Sequence, residues 1–429
     1  MASLSESLVW LDEHVNLEAR AGRIEGLSLE RMRSLVDVLG DPQKSYPVIH
    51  LTGTNGKGST ARLVTALLVE AGLTVGTYTS PHLQRINERI SRCGESIADD
   101  ELAEVLSDLR QLEPLVGGRC SYFELLTAAG LRWFADVAVD VAVVEVGLLG
   151  RYDATNVCDG TVAVVTNVGQ DHTDLTGDWR ARIAEEKAGV VKPGSTLVLG
   201  ETDERLTPIF YRAGAAEVWE RDRDFACEAN ELAVGGRLLE LRTPQHTLSE
   251  IYLSLHGAHQ GDNAACALAA AEAFFLQPLE DDVVAQAFGS VSMPGRFEIV
   301  GREPLVVLDC GHNPEAAAAT AATLRDDFMQ EGRRIIVAGM LQPRDPLAFL
   351  EALDVDDSTL VVACLADSPR AISTSELGAA ASSLGADVIE EPDVGRALDR
   401  ARRLAEPEDA VLVTGSLYVV GSARTHLRL

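Results

Sequence analysis

The run His50-Leu51-Thr52-Gly53-Thr54-Asn55-Gly56-Lys57-Gly58-Ser59-Thr60 joins three residue types that together bind phosphate. An apolar extended stretch, Val48 to Leu51, leads into a glycine-rich turn. A lysine and two hydroxyl residues follow, and then a helical pattern from Ala61 to Leu68. Glycines let backbone N–H groups converge on an anion. The helix N-terminus adds its positive dipole end, Lys57 supplies a point charge, and the Ser59 hydroxyl can ligate Mg²⁺. The chemistry implied is phosphoryl transfer from a nucleoside triphosphate held by Gly53, Thr54, Asn55, Gly56, Lys57, Gly58, Ser59 and Thr60. The loop departs from the general G-x-x-x-x-G-K-[ST] pattern, because Gly58 stands between Lys57 and Ser59.

Further candidates lie where strands are expected to end. Val143-Val144-Glu145-Val146-Gly147 closes an apolar strand with one carboxylate, which is costly unless it meets a cation, so Glu145 is read as a Mg²⁺ ligand. Val164-Val165-Thr166-Asn167-Val168-Gly169-Gln170-Asp171-His172 repeats the theme, and His172 could hold metal, touch a phosphate or simply pack. Ala184-Glu185-Glu186-Lys187-Ala188-Gly189 ends a helix, where Lys187 could serve the dipole. If it faced a phosphate site, carbamylation would turn it into an anion able to hold a second Mg²⁺. Arg296 follows the hinge-like Met293-Pro294-Gly295 and suits phosphate oxygens. In Leu308-Asp309-Cys310-Gly311-His312-Asn313-Pro314, helix capping explains Asn313 and Pro314 but not Asp309 with His312.

The elements that must position these residues alternate. Strands are expected at 47–52, 74–79, 139–146, 161–166 and 196–199, with helices at 60–72, 99–111, 122–136 and 179–189. That alternation gives a mostly parallel sheet with helices on both faces. Residues 1–45 read as amphipathic helix, with Leu8, Leu11, Val15 and Leu17 as core contacts. The stretch 216–255 reads as a small antiparallel patch around Gly235-Gly236. A second βα series starts at strand 305–309. The expected fold is α/β: a P-loop-type domain over 1–293 and a smaller Rossmann-like α/β domain over 294–429.

Composition narrows the partners. The net charge of −29 over 429 residues repels nucleic acid and anionic lipid, so an anionic substrate needs a local basic pocket. The seven scattered cysteines lack a C-x-x-C pair and fit reduced thiols in a cytoplasmic protein. Neither a secretory leader nor a membrane span is expected.

These motifs, in this order, resemble folylpolyglutamate synthase/dihydrofolate synthase, the folate branch of the Mur-ligase-like ATP-dependent amide ligases. The loop with Gly58 matches that branch, as does the short segment ahead of it. So do Thr79-Ser80-Pro81-His82 with Asn87-Glu88-Arg89, Ser121-Tyr122-Phe123-Glu124, Asp153-Ala154-Thr155-Asn156, His259-Gln260 with Asn263, Pro294-Gly295-Arg296, His312-Asn313-Pro314 and Thr414-Gly415-Ser416-Leu417-Tyr418.

The resemblance implies Mg²⁺ on Ser59, Glu145 and His172, and a carbamylated Lys187 at a second metal. It implies Asn263 at the adenine, and Arg296, Asp309 and His312 reaching ATP from the C-terminal domain. Lys57, Lys187, His172 and His312 would carry the catalysis. Ser80, Pro81, His82, Arg89, Tyr122 and Phe123 would line the folate side, with Ser416 and Tyr418 toward the incoming glutamate. The implied partners are ATP, L-glutamate and dihydropteroate or a reduced folate, acting on a monomer. Two departures stand out. Leu149 occupies a position where the family commonly has glycine, and Met340-Leu341-Gln342-Pro343-Arg344-Asp345 lacks a lysine often seen before that aspartate.

Overall fold

The computed structural model describes residues 3–16, 28–170, 177–328 and 332–429. Eight strands form the larger sheet: β1 Val48–Thr52, β2 Val75–Tyr78, β3 Ile90–Arg92, β4 Glu95–Ser96, β5 Val141–Glu145, β6 Val162–Val165, β7 Thr196–Leu199 and β8 Glu217–Glu220. Their order is β4-β3-β2-β5-β1-β6-β7-β8, and all pairs are parallel except β2–β3 and β3–β4. The central strands β1, β5 and β6 are buried along their whole length. Helices cover both faces, which is why these strands read as unbroken apolar runs rather than alternating ones.

On one face the helices Lys57–Glu70, His259–Phe275 and Asp281–Ser290 pack into one core with Ile49, Leu51, Val143 and Val164. On the other, Leu4–Asp12, Glu30–Val38, Asp99–Leu112 and Tyr122–Asp136 pack over Val48, Ala142 and Val144. A three-stranded antiparallel sheet, β9 Ala226–Ala233, β10 Gly236–Arg242 and β11 Thr247–Leu253, adds Leu239, Leu241 and Ile251 to the first core. It turns at Gly235, which takes the left-handed φ of 79° that a tight hairpin needs.

The C-terminal sheet holds β12 Glu298–Arg302, β13 Leu305–Leu308, β14 Arg334–Ala338, β15 Leu360–Ala363, β16 Asp387–Glu390 and β17 Ala410–Thr414. Their order is β12-β13-β17-β14-β15-β16, with only β12 antiparallel, and a separate core lies on each face.

The expected α/β architecture is present, with three differences in detail. Residues 217–220 are not part of the antiparallel patch; they pair parallel with β7 as the edge of the main sheet. Helix Lys57–Glu70 starts three residues before Thr60, so the lysine lies within its first turn. Val15 is exposed, because the first helix stops at Asp12 and its periodicity no longer applies. Leu17 lies outside the described residues. Among the described residues no helix is long and apolar enough to cross a membrane.

Candidate active site

Three adjacent strands end at one crevice. β1 runs into Gly53, β5 ends on Glu145, and β6 runs into Thr166-Asn167, with Leu51 opposite Glu145 and Thr52 opposite Val165. This is the place where open α/β sheets bind ligands.

The loop between β1 and its helix fits an anion. Gly56 has φ 82°, and a Cβ there would lie 2.4 Å from Asn263 Oδ1. A Cβ on Gly53 would lie 1.8 Å from Thr166 Oγ1. Neither position can take a larger residue without movement. Asn167 fastens the loop from behind. Its Oδ1 accepts from the N–H groups of Thr54 (3.2 Å) and Asn55 (2.9 Å), and its Nδ2 donates to the Asn55 carbonyl (3.1 Å). Thr166 Oγ1 donates to that same carbonyl at 2.7 Å. The next N–H groups, of Gly56, Lys57, Gly58 and Ser59, meet no acceptor among the described residues. They are the open donors of a helix start, aimed where a phosphate would sit. Thr60 Oγ1 is buried without a hydrogen bond in the same turn.

Glu145 faces this turn. It is buried, and the Ser80 N–H donates to its Oε2 at 3.2 Å. Burial raises its carboxyl above the ordinary value, while Lys57, that N–H and Arg296 pull it down. A Cβ on Gly58 would stand 3.4 Å from Glu145 Oε2, so the extra glycine keeps the space before the carboxylate clear. Ser59 is buried in the same helical turn. A hydroxyl, a buried carboxylate and open N–H groups form a donor set suited to a hard divalent cation on a phosphate. His172 lies outside the described residues. Lys187 is buried on helix Trp179–Ala188, against which the loop after β5 packs at Gly150.

The C-terminal sheet brings its own turn to the loop. Asn313 Nδ2 donates to Asn55 Oδ1 (2.9 Å), and Asn55 Nδ2 donates to Glu315 Oε2 (3.3 Å). The Gln170 N–H donates to Glu315 Oε1 at 3.0 Å. Glu315 thus joins the two parts, a role missed from sequence because a glutamate in a first helical turn is ordinary. His312 Nδ1 lies 3.0 Å from the Cys310 carbonyl, so the neutral ring carries its proton there. Asp309 anchors its surroundings: it accepts from the Phe297 N–H, the Gly311 N–H and Thr320 Oγ1 at 2.8–2.9 Å. It thereby fixes the turn carrying Arg296, whose guanidinium points into the crevice without a hydrogen-bond partner among the described residues. Asn263 is held by Gln260 Oε1 at 2.9 Å behind Gly56.

The other predicted residues form a second group. Arg89 is buried, donates to His82 Nδ1 at 2.9 Å and lies 5.9 Å from the centre of the Tyr122 ring. Phe123 packs under Gly147, where a Cβ would come within 2.4 Å of its Cζ. Ser80 and Pro81 line a cavity of about 290 Å³ with Ser59, Glu145, Arg296 and Leu417. Ser416 is buried, and its hydroxyl caps helix Leu417–Leu427 by accepting from the Val419 N–H; Tyr418 follows in the first turn. Asn167 was the main residue sequence reading overlooked. Its signal was a side-chain amide directly after an apolar strand, beside a glycine loop.

Known proteins share these domains and this fold. Residues 125–271 match the Mur ligase middle domain, and residues 295–417 match the Mur ligase glutamate ligase domain. The dihydrofolate synthase/folylpolyglutamate synthase of Mycobacterium tuberculosis is 39% identical over 442 residues, covering 93% of this chain and 89% of that protein. The Mycobacterium tuberculosis folylpolyglutamate synthase complexed with ADP superimposes with a TM-score of 0.92 at 38% identity, covering 98% and 97% of the two chains. A bifunctional folylpolyglutamate synthase/dihydrofolate synthase with Mn, AMPPNP and L-glutamate bound gives 0.87 at 30% identity, covering 100% and 99%. The chain described here belongs to the dihydrofolate synthase/folylpolyglutamate synthase family of Mur ligases.

Proposed function

We propose that the protein is an ATP-dependent ligase joining L-glutamate to the carboxylate of a pteroate or folate. The observation that carries this reading is the row of open N–H groups at Gly56–Ser59 facing the buried Glu145, with the Asn313–Glu315 turn docked on Asn55. The acceptor carboxylate attacks the γ-phosphorus of ATP, forming an acyl phosphate and ADP. The glutamate amine then attacks the acyl carbon, and inorganic phosphate leaves. Lys57 and the loop N–H groups stabilise charge on the transferring phosphoryl group, and Arg296 reaches it from the C-terminal side. A divalent cation held by Ser59 and Glu145 supplies further charge neutralisation when bound. His172 completes that set in our reading. Asn263 holds the adenine end. Asp309 acts through the Arg296 turn, and His312 touches the nucleotide from the docked turn. Tyr418 faces the glutamate side, with Ser416 setting the start of its helix.

Lys187 is proposed as a carbamate. It is buried on the helix against which the loop after β5 packs, and carbamylation would turn it into an anion able to hold a second divalent cation. The acceptor lies against Ser80, Pro81, His82, Arg89, Tyr122 and Phe123. We place the domain division at Met293–Gly295 and take it as a hinge that brings Arg296 and His312 to Lys57. Seven unpaired cysteines support a cytoplasmic rather than a disulfide-linked secreted protein, and the family resemblance suggests a monomer.

Phosphate release from ATP with L-glutamate tests the reading, with dihydropteroate and a reduced folate offered separately. Release with dihydropteroate establishes the dihydrofolate synthase reaction, and release with both makes the enzyme bifunctional. Release with neither, from folded protein, refutes it.

A further inference from the structure

Arg62 has no role in any motif above. It lies three residues after Ser59 on helix Lys57–Glu70, so both project on one side of the helix. Its side chain lines the 290 Å³ cavity together with Ser80, Glu88, Glu145, Arg296 and Arg424. Of the other charged groups there, Arg296 is also open but is assigned to the phosphate, and the rest are engaged. Glu88 accepts the N–H groups of Leu83, Gln84 and Arg85 at 2.7, 3.0 and 2.8 Å. Arg424 pairs with Glu298 and donates to Gln84 Oε1 at 2.9 Å. Glu145 belongs to the metal side. Arg62 makes no ion pair or hydrogen bond with any described residue. The surrounding protein disfavours its charge by desolvation, and the neighbouring carboxylates of Glu88 and Glu145 favour it.

An unpaired guanidinium at the meeting of both domains calls for an anion, and with Arg296 taken by the phosphate, Arg62 is left for a second one. The cavity is shared by Ser80, Pro81 and His82, the last of which bonds Arg89, and by Leu417 at the start of the C-terminal helix, so Arg62 lines the space where the expected acceptor side meets that helix. We propose that Arg62 binds a carboxylate of the incoming L-glutamate, a residue assignment that rests on the ligase reading above. The mixed charge of the cavity suits that substrate. The Arg62 guanidinium takes a carboxylate, and the acidic side chains favour arrival of the ammonium, which gives up a proton before the free amine attacks the acyl carbon.

The test is steady-state phosphate release by wild type, Arg62→Gln and Arg62→Lys, varying L-glutamate, ATP and dihydropteroate in turn. In Arg62→Gln the KM for L-glutamate is expected to rise about 10- to 100-fold, the loss of a charged hydrogen-bonded contact. The KM for ATP and for dihydropteroate should stay within about twofold, as only one substrate loses its contact. Arg62→Lys keeps the charge without the planar fork and should fall between. Because Arg62 is partnerless and exposed to the cleft, all three proteins should unfold alike. An unchanged glutamate KM, or an equal rise for dihydropteroate or ATP, overturns the assignment while leaving the ligase reading intact. A wild type whose phosphate release ignores L-glutamate overturns both.

Discussion

Two loops leave the carboxyl ends of the neighbouring strands β1 and β5, and they are built on opposite terms. Gly53–Gly56 spends glycine where the backbone needs it, at φ 82° for Gly56 and at the close approach of Gly53 to Thr166. Its last N–H groups are left open. In the loop Gly147–Asn156, Gly147 and Gly150 sit where Phe123 and the Glu186 carbonyl crowd in, yet the left-handed residue is Leu149, at φ 58°. Here most polar groups are closed off, with Asn156 Oδ1 the buried exception. Asp153 accepts from the N–H groups of Leu148 (2.8 Å) and Thr155 (3.0 Å), and Thr52 Oγ1 donates to the Leu149 carbonyl at 2.5 Å. A loop meant for a ligand keeps its donors free and is held from outside by Asn167. A loop meant to shape a wall turns most of its polar groups on itself and tolerates strain.

The comparison breaks first at Lys57. If the first loop exists for phosphate, Lys57→Ala should lower kcat by about 100- to 1000-fold or more with the fold intact, since the residue stabilises transferring charge. Among the described residues its Nζ donates only to the Thr54 carbonyl, at 3.1 Å, so little stability depends on it. Normal turnover in that variant would remove the loop from the chemistry. Gly53→Ala attacks the same loop sterically. The new Cβ meets Thr166 Oγ1 at 1.8 Å and breaks its bond to Asn55, which should destabilise the protein by about 1–3 kcal/mol in urea unfolding. No change would mean that Thr166 is free to turn away.

The first loop was legible because its signals are local: glycines, lysine and hydroxyls between an apolar strand and a helix. The buried strands were legible for the same reason, as were the helices opened by Ser121 with Glu124 and by Asn313 with Pro314. What escaped depends on distance. Asn167 matters only because β6 lies beside β1, and Glu315 only because the C-terminal turn docks on Asn55. Arg62 looks like any charge on a helix until the Ser80–Gln84 loop and Leu417 enclose it. Edge strands Glu217–Glu220 and Asp387–Glu390 have four residues each and charged ends, too short to show a period. The left-handed Leu149 could be suspected only from the family's preference for glycine there.

The second loop can be probed through pH. His50, fully buried on β1, reaches Thr155 Oγ1 at 2.9 Å, and that hydroxyl donates to Asp153 Oδ1. The hydroxyl must therefore accept from Nε2–H, while the buried Nδ1 meets no acceptor for a second proton. Burial, helped by Lys192, lowers its pKa from 6.5 to about 3. A depressed folded pKa means that the unfolded chain binds the extra proton first. Stability from this group is present above pH 6.5 and is lost on acidification, by about 1.4 kcal/mol per pH unit down to the folded value. Unfolding at pH 6 and pH 5 should show wild type losing that much more than His50→Gln, whose amide can still donate to Thr155. Equal losses would mean that the ring is not sealed.

The smallest effect decides the sharpest point, whether Leu149 is strained. Leu149→Ala and Leu149→Gly both remove its packing against the core around Val168 and Leu199, so that term cancels between them. They differ in the Cβ. Glycine ordinarily loses to alanine by about 0.5–1 kcal/mol, because its unfolded chain has more freedom to lose. At φ 58° the alanine Cβ crowds the backbone and costs about 1–2 kcal/mol, which glycine avoids. The strain outweighs the entropy, so Leu149→Gly should be the more stable of the two, by a few tenths to about 1 kcal/mol in paired urea titrations. Alanine ahead of glycine would show that the wall is relaxed at this residue, and the contrast between the loops would then lie in their hydrogen bonds alone.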